Sequence, residues 1–434
     1  MCPDVRWRPK TASAASDSSS LLTDLDGTIL MPIHSIGALA ASSAFRDTPQ
    51  HTMMTPRLCF VGLENLPLLA PGFEQYRIGG AQLQQTLLAK ALVRRGFAVS
   101  MVVGDYGQAD GAIWNGVQTY KAYSAHEGIP VVRFVHPRWT KLCAALRRAA
   151  ADVYYVSCAG AQVGQVAMWA ARNGRRMIFK VASDADCDLR PRLISFWRDR
   201  KLYEYGLRRA GAILAQSVRQ QELLRNNYGV DSSLAASLVD VPERVLPFAE
   251  RNISLLWVSN IQQWKRPEIF LDLAQRLPGC SASMIGGAVP KTGNLYGHIS
   301  ACAARVGSLT FHGQLPYRAT NQVFDRARVF VNTSEFEGFP NTFLQAWVRG
   351  IPVVSFFDPD GVIRREGLGH AAASLDEMAR AAEALTTDSQ AWLEVSARCR
   401  AYMARRYGED QILAPYLSTL GRFAIGLPAA PAPV

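Results

Sequence analysis

The sequence predicts an α/β protein built from two domains with parallel sheets and crossover helices. Three stretches carry this reading. In the first, Val329–Val331 is a short buried strand and is followed by a loop with Glu337, Gly338 and Pro340. A helix then begins near Asn341–Thr342, with Asn341 expected as its N-cap, and Gly350 and Pro352 separate it from a strand at Val353–Phe357. In the second, Leu58–Leu63 reads as a strand, Ala81–Arg95 as a helix with Leu83, Leu87, Leu88, Ala91 and Leu92 on one face, and Phe97–Val103 as the next strand after Gly96. In the third, the strand Leu255–Val258 leads through a loop to a helix opened by Pro267. Repeated strand–loop–helix–strand units imply parallel pairing with right-handed crossovers, and two such domains facing each other leave a cleft at their strand ends.

The loop after Val331 also carries chemistry. A glycine-bearing turn that enters a helix points free backbone N–H groups at one place, which suits a phosphate. Glu337 at its mouth can accept hydrogen bonds from hydroxyls, and Gln345, two turns along the helix, can reach a second set. A ligand with central phosphates and a hydroxylated ring at each end satisfies both, and a nucleotide-sugar has that form. An ordinary strand–helix connection explains the same residues without a ligand.

The segment from Glu337-Gly338-Phe339-Pro340-Asn341-Thr342 to Gly350-Ile351-Pro352-Val353-Val354 resembles the donor-binding motif of family-4 retaining glycosyltransferases of the GT-B fold. The resemblance implies that Glu337 contacts the transferred sugar. The second glutamate of that motif, which holds the ribose hydroxyls, is Gln345 here, so hydrogen bonding is kept and charge is lost. In the family a Gly-Arg pair with a Lys five positions after the Arg grips the diphosphate. Lys265 matches that Lys, whereas Ser259 and Asn260 stand at the Gly and Arg positions. Arg266 is expected to restore the missing charge. The resemblance places Gly79 and Gly80 opposite the donor phosphates and the backbone near Gln314, Leu315 and Pro316 around the nucleobase. Relatives carry a His where this chain has Lys180 or Val181. Asp184 or Asp186, in an acidic loop after the strand Met177–Val181, is the candidate for a related role, and a solvated loop is the alternative. His136, before Pro137, reads more simply as structural.

The sequence has 434 residues, is 49% hydrophobic and 19% charged, and carries a formal net charge of +11. That balance builds sizeable cores. A basic surface suits an anionic membrane or a phosphorylated substrate, and without a Lys/Arg block a nucleic-acid partner is not expected. The eight cysteines form no C-x-x-C pair, which argues against zinc and against a disulfide framework and fits a reducing cytosol. No signal-peptide core and no run long enough to span a membrane stands in the sequence. Leu189–Arg209 mixes arginines with Phe196, Trp197 and Tyr203, which fits either a helix lying on an anionic membrane or a salt-laced surface helix.

The expected organisation is a disordered or over-extended segment over 1–54, an acceptor-side domain over 55–245, a nucleotide-sugar domain over 246–407, a helix over 408–425 that crosses back to the first domain, and a disordered Pro/Ala tail over 426–434. Strands are also expected at Asp152–Cys158, Ile213–Ser217 and Cys280–Ile285, and a linker at Asp240–Glu250. Leu21–Leu30 resembles the first motif of haloacid-dehalogenase-type phosphatases, with Asp24 as nucleophile and Asp26 as acid/base, but without room for the domain such an enzyme needs.

The resemblance as a whole implies a cytoplasmic retaining transferase, peripheral on the inner face of a membrane and engaged in polysaccharide biosynthesis. It needs neither metal nor cofactor and moves a hexosyl unit from a nucleotide-diphosphate sugar to a saccharide or lipid-linked hydroxyl. Lys265, Glu337 and Asp184 are the expected catalytic groups. The donor site is expected to comprise Gly79, Gly80, Asn260, Lys265, Arg266, Gln314, Leu315, Glu337, Gly338, Phe339, Pro340, Asn341, Thr342 and Gln345. A non-catalytic nucleotide-sugar-binding protein, an epimerase and a phosphorylase are the alternatives.

Overall fold

The computed structural model describes residues 56–76, 78–130, 132–189, 194–289 and 292–424. The expectations for 1–54, Asp24 and Asp26 included, and for the tail 426–434 lie outside the described residues.

Two sheets organise the chain. The first takes strands β1 (Leu58–Val61), β2 (Val99–Val103), β3 (Ile113–Trp114), β4 (Val117–Lys121), β5 (Val153–Ser157), β6 (Arg176–Lys180), β7 (Ala212–Ala215) and β8 (Ser233–Leu234), in the order β3-β4-β2-β1-β5-β6-β7-β8. Only the β3–β4 hairpin is antiparallel. Helices α1 (Leu66–Leu69), α2 (Gly80–Arg94), α3 (Thr140–Ala149), α4 (Ala161–Arg172), α5 (Trp197–Arg209) and α6 (Val218–Tyr228) connect them. The second sheet runs β11-β10-β9-β12-β13-β14, all parallel. Its strands are β9 (Ile253–Val258), β10 (Ala282–Ile285), β11 (Leu309–Gly313), β12 (Ala327–Asn332), β13 (Val353–Ser355) and β14 (Gly369–Ala371). Around it lie α7 (Pro267–Arg276), α8 (Leu295–Ala303), α9 (Tyr317–Asp325), α10 (Asn341–Trp347), α11 (Val362–Glu366), α12 (Leu375–Thr387) and α13 (Ser389–Arg406). Helix α14 (Glu409–Ala424) follows.

The central strands β1 and β2 are buried along their whole length and β5 over all but Ser157, as parallel strands covered on both faces are. On one face of the first sheet, Phe60, Met101 and Tyr155 pack with Leu88 and Leu92 of α2 and with Ile412, Leu413, Tyr416 and Leu420 of α14. Helix α14 therefore belongs to the core of the first sheet, although it follows the second in sequence. Helix α13 stays with the second sheet through Cys399, Tyr402 and Met403. Gly96 (φ 83°) and Gly350 (φ 65°) take the left-handed conformation just past α2 and α10, as their positions in the sequence require.

Strand β7 does not close the first sheet, because the two-residue strand β8 pairs beyond it. So short a strand has no apolar run to mark it. Pro340, rather than Asn341, occupies the N-cap of α10, and Asn341 makes no capping bond. Its side-chain amide is engaged elsewhere, donating to the Gly80 carbonyl at 2.9 Å.

Both sheets reverse their winding at a central strand, β1 in the first and β9 in the second. The crevices outside the carboxyl ends at such points are where α/β proteins bind ligands. The loops after β9 and β12 come together at the second of them, and helix α2 meets them from the first domain.

Candidate active site

A cleft of about 360 Å³ lies where the two sheets face each other. Its walls come from Gly79 and Gly80 before α2, Ser259 to Lys265 after β9, Gln314 and Leu315 after β11, Phe336 to Thr342 after β12, and Gln345 of α10.

Lys265 and Glu337 form an ion pair at its centre, each side chain 15% exposed. At that exposure the pair is shielded from bulk water while still open to a ligand. The same carboxylate oxygen, Glu337 Oε1, also accepts from the Ser334 hydroxyl at 2.6 Å and the Asn332 amide at 3.4 Å. Oε2 takes no hydrogen bond from the described residues, so it can receive one from a ligand hydroxyl. Asn332 is fixed in turn by the Ser334 N–H at 3.0 Å, which locks the loop that carries Glu337. Gln345 is buried, with Nε2 donating to Asn321 Oδ1 at 3.2 Å. Its Oε1 takes no hydrogen bond from the described residues, so the amide is oriented with its acceptor free. Trp264 and Phe336 stack with ring centroids 5.9 Å apart and both line the cleft, an apolar wall that the sequence reading missed. Their pairing across a gap of seventy-two positions left no local signal.

Arg266, expected to restore the missing charge, is not among the residues that line the cleft. It sits in the left-handed conformation (φ 46°) at the N-cap of α7, and its side chain turns to the loop after β12. There the guanidinium donates to the carbonyls of Thr333 (2.7 Å) and Ser334 (3.2 Å) and covers the ring of Phe356 at 5.0 Å. Asp184 is also turned aside. Its carboxylate accepts from Gln220 at 3.1 Å and pairs with Arg219 at 3.2 Å, and burial raises its pKa to about 6. Asp186 is buried and caps its own turn, accepting from the Ala182 and Ser183 N–H groups. Lys180 points into the first domain, where it donates to the Ala235 carbonyl at 2.8 Å and to the Tyr416 hydroxyl. His136 bonds Thr140 at 2.9 Å. The remaining residues expected at the donor site all line the cleft: Gly79, Gly80, Asn260, Gln314, Leu315, Gly338, Phe339, Pro340, Asn341 and Thr342.

The two domains touch around this cleft. The Asp184 N–H donates to the Glu337 carbonyl at 3.4 Å, and the Phe339 N–H donates to Gln216 Oε1 at 3.1 Å. Gly338 approaches so closely that a Cβ there would lie 2.7 Å from Gln220 Nε2 and 3.0 Å from the Ala182 carbonyl. A second and larger cleft, about 1330 Å³, opens at the carboxyl ends of β1, β2 and β5 in the first domain, beside Tyr106, Tyr123, Arg133 and Arg138. Among the described residues no group of three or more His, Cys, Asp or Glu side chains is placed to hold a metal ion, and no helix is long and apolar enough to cross a membrane.

Known proteins give this arrangement its class. HepE of Anabaena, solved with UDP and glucose, superposes with a TM-score of 0.64 at 18% identity, over 84% of this chain and 99% of that one. Sucrose-phosphate synthase of Thermosynechococcus elongatus superposes with a TM-score of 0.67 at 16% identity, over 86% and 99%. A glycosyltransferase of Rickettsia africae gives 0.61 at 12% identity, over 85% and 99%. The fold is GT-B. Residues 79–236 match the glycosyl transferase 4-like domain and residues 252–388 match the glycosyl transferases group 1 domain, so the chain belongs to that glycosyltransferase family. No curated protein sequence matches the chain.

Proposed function

We propose that the protein moves a sugar from a nucleotide-diphosphate donor to a hydroxyl of a saccharide or lipid-linked acceptor, with retention at the anomeric carbon and without a metal ion. The Lys265–Glu337 pair, set in the cleft beside Gly79 and Gly80, is the observation that carries this reading. Lys265 is the cation for the leaving diphosphate, and a cation fixed in place before reaction stabilises charge as it develops. Glu337 Oε2 accepts from a hydroxyl of the transferred sugar and orients the ring, and Gln345 Oε1 accepts from the ribose. Asp184, already committed to Gln220 and Arg219, is not a nucleophile in this scheme. The acceptor oxygen then attacks from the face that the diphosphate leaves, and a phosphate oxygen takes its proton. HepE was solved with UDP and glucose, which makes a uridine-diphosphate hexose the first donor to try. The proposed setting is polysaccharide assembly in the cytoplasm, with peripheral attachment to an anionic membrane.

Thermal-shift binding of a panel of nucleoside-diphosphate sugars tests the site. Stabilisation by one donor, lost in Lys265→Ala, supports it, and no shift with any donor overturns it. NMR of the product's anomeric proton tests retention, and unchanged turnover in EDTA tests metal independence. Gln345 and Asn260, neutral where the family motif is charged, favour one second reading, a non-catalytic nucleotide-sugar-binding protein. Donor binding with neither transfer nor slow donor hydrolysis would select it.

A further inference from the structure

Half of the twelve large apolar side chains left exposed among the described residues lie in two short segments: Ile129, Val132 and Val135 in one, Leu189, Phe196 and Trp197 in the other. Trp197 is 75% exposed and Ile129 74%, values that leave large apolar surface in water. The segments adjoin in space, because the Arg198 guanidinium lies 3.4 Å from the centroid of the Phe134 ring. Arg133, Phe134, Phe196 and Arg198 all line the large first-domain cleft, so the exposed side chains border its mouth.

The charges among them are one-sided. Residues 129–139 contain Arg133 and Arg138 and no carboxylate. Arg133 has no ion-pair partner among the described residues. The Arg138 guanidinium donates to the Ala125 carbonyl at 2.9 Å and lies 5.8 Å from the centroid of the Tyr123 ring, and its Nε is buried without a hydrogen-bond partner. Helix α5 adds Arg198, Arg200, Lys201, Arg208 and Arg209; Arg198 pairs with Asp199 at 2.8 Å and Lys201 with Glu204 at 2.9 Å, which leaves an excess of positive charge, while Tyr203 and Leu207 turn to the core. Apolar side chains set beside Arg133 and Arg138, neither of which has a carboxylate partner among the described residues, match the interface of an anionic bilayer, where the rings and aliphatic groups enter the acyl boundary and the guanidinium groups meet phosphates. Arginines among aromatic rings also occur at protein interfaces, so a contact between copies of this chain is one of the outcomes that the experiment below separates.

We infer that this rim docks on an anionic lipid bilayer, which sets the mouth of the first-domain cleft against the lipid headgroups. The inference names the surface for the peripheral attachment proposed above and rests on that reading. An acceptor with a phosphate-bearing headgroup would then reach Arg133 and Arg138 without leaving the membrane.

Vesicle co-sedimentation of the full chain tests this, with phosphatidylcholine alone and with roughly a third of the lipid replaced by phosphatidylglycerol. The triple variant Val132→Ser/Val135→Ser/Trp197→Ser removes apolar area only from side chains already in water, so it should fold, and its donor thermal shift checks that. Wild type is expected to bind the anionic vesicles and to lose binding as salt rises, and the variant to bind about tenfold less. Equal binding by variant and wild type overturns the inference, as does wild-type binding to neither vesicle. A concentration-dependent dimer that the variant abolishes would overturn it in favour of a contact between copies of this chain. Anionic-vesicle binding by a chain that shows no donor shift would keep the docking surface and sink the transferase reading alone.

Discussion

Asp360, carried by the second domain, closes the first turn of a helix in the first domain. Its Oδ2 accepts from the Val218 N–H at 3.0 Å and its Oδ1 from the Arg219 N–H at 3.4 Å. Helix α6 is thus capped twice, by its own Ser217 toward Gln220 and by a residue 142 positions away. Removing a cap of this kind costs about 1 kcal/mol. Asp360→Ala is expected to lower Tm by about 2–4 °C and to raise KM for the donor, since the cap also holds the cleft walls together. Calorimetry and initial-rate kinetics check both. An unchanged KM would mean that the contact is only a cap.

Gln345→Glu restores the charged group of the family motif; the Asn321 amide, which accepts from Gln345 Nε2 through Oδ1, must turn over to present its Nδ2 to the new carboxylate. A charged acceptor makes the stronger hydrogen bond, so donor affinity should rise about tenfold if the ribose lies there. Weaker binding in the variant would place the ribose elsewhere.

Gly338→Val should leave each domain folded and disturb how they meet. The added carbons have no room beside Gln216, Gln220 and the Ala182 carbonyl. The two glutamine ends can swing aside but the Ala182 carbonyl cannot, so the larger side chain pushes the domains apart and shifts Glu337 relative to Gly79 and Gly80. The expected loss in kcat/KM is at least about a hundredfold, as misplacement by about an ångström can cost. Assay beside a thermal melt separates this from unfolding.

Lys180 makes a pH prediction. Burial lowers its pKa from the usual lysine value to about 7, with no carboxylate beside it. Between pH 7 and the ordinary lysine range the unfolded chain binds this proton and the folded chain does not. Stability from this group therefore rises with pH across that window, and its full cost is present below pH 7. Lys180→Met should lack the effect. The Tm difference between wild type and variant should shift toward wild type from pH 7 to about pH 9.5. A constant difference would show that Lys180 stays charged in the fold.

The two-sheet architecture was legible because parallel strands buried on both faces read as continuous apolar runs, and because Gly96, Pro267 and Gly350 mark helix boundaries by backbone geometry. That Lys265 and Glu337 come to one cleft was legible because both lie on short loops directly after strands. Arg266 was not. The sequence places it next to Lys265, but its left-handed backbone aims it at the Thr333 and Ser334 carbonyls. The setting of Asp184 was not legible either, because the groups that hold it, Arg219 and Gln220, come from another helix. The stacking of Trp264 on Phe336 and the docking of Gly338 against Gln220 depend on how separate loops meet in three dimensions, which local pattern does not record.

Helix α14 completes the core of the first sheet but is synthesised after the whole of the second. While a ribosome makes residues 253–406, the emerging first domain holds Phe60, Met101 and Tyr155 beneath an uncovered face. At ordinary elongation rates this interval lasts on the order of ten seconds. The part of the protein that is translated first is therefore finished last. During translation the exposed surface that a chaperone would shield lies on the first domain, while the second can close as soon as α13 emerges.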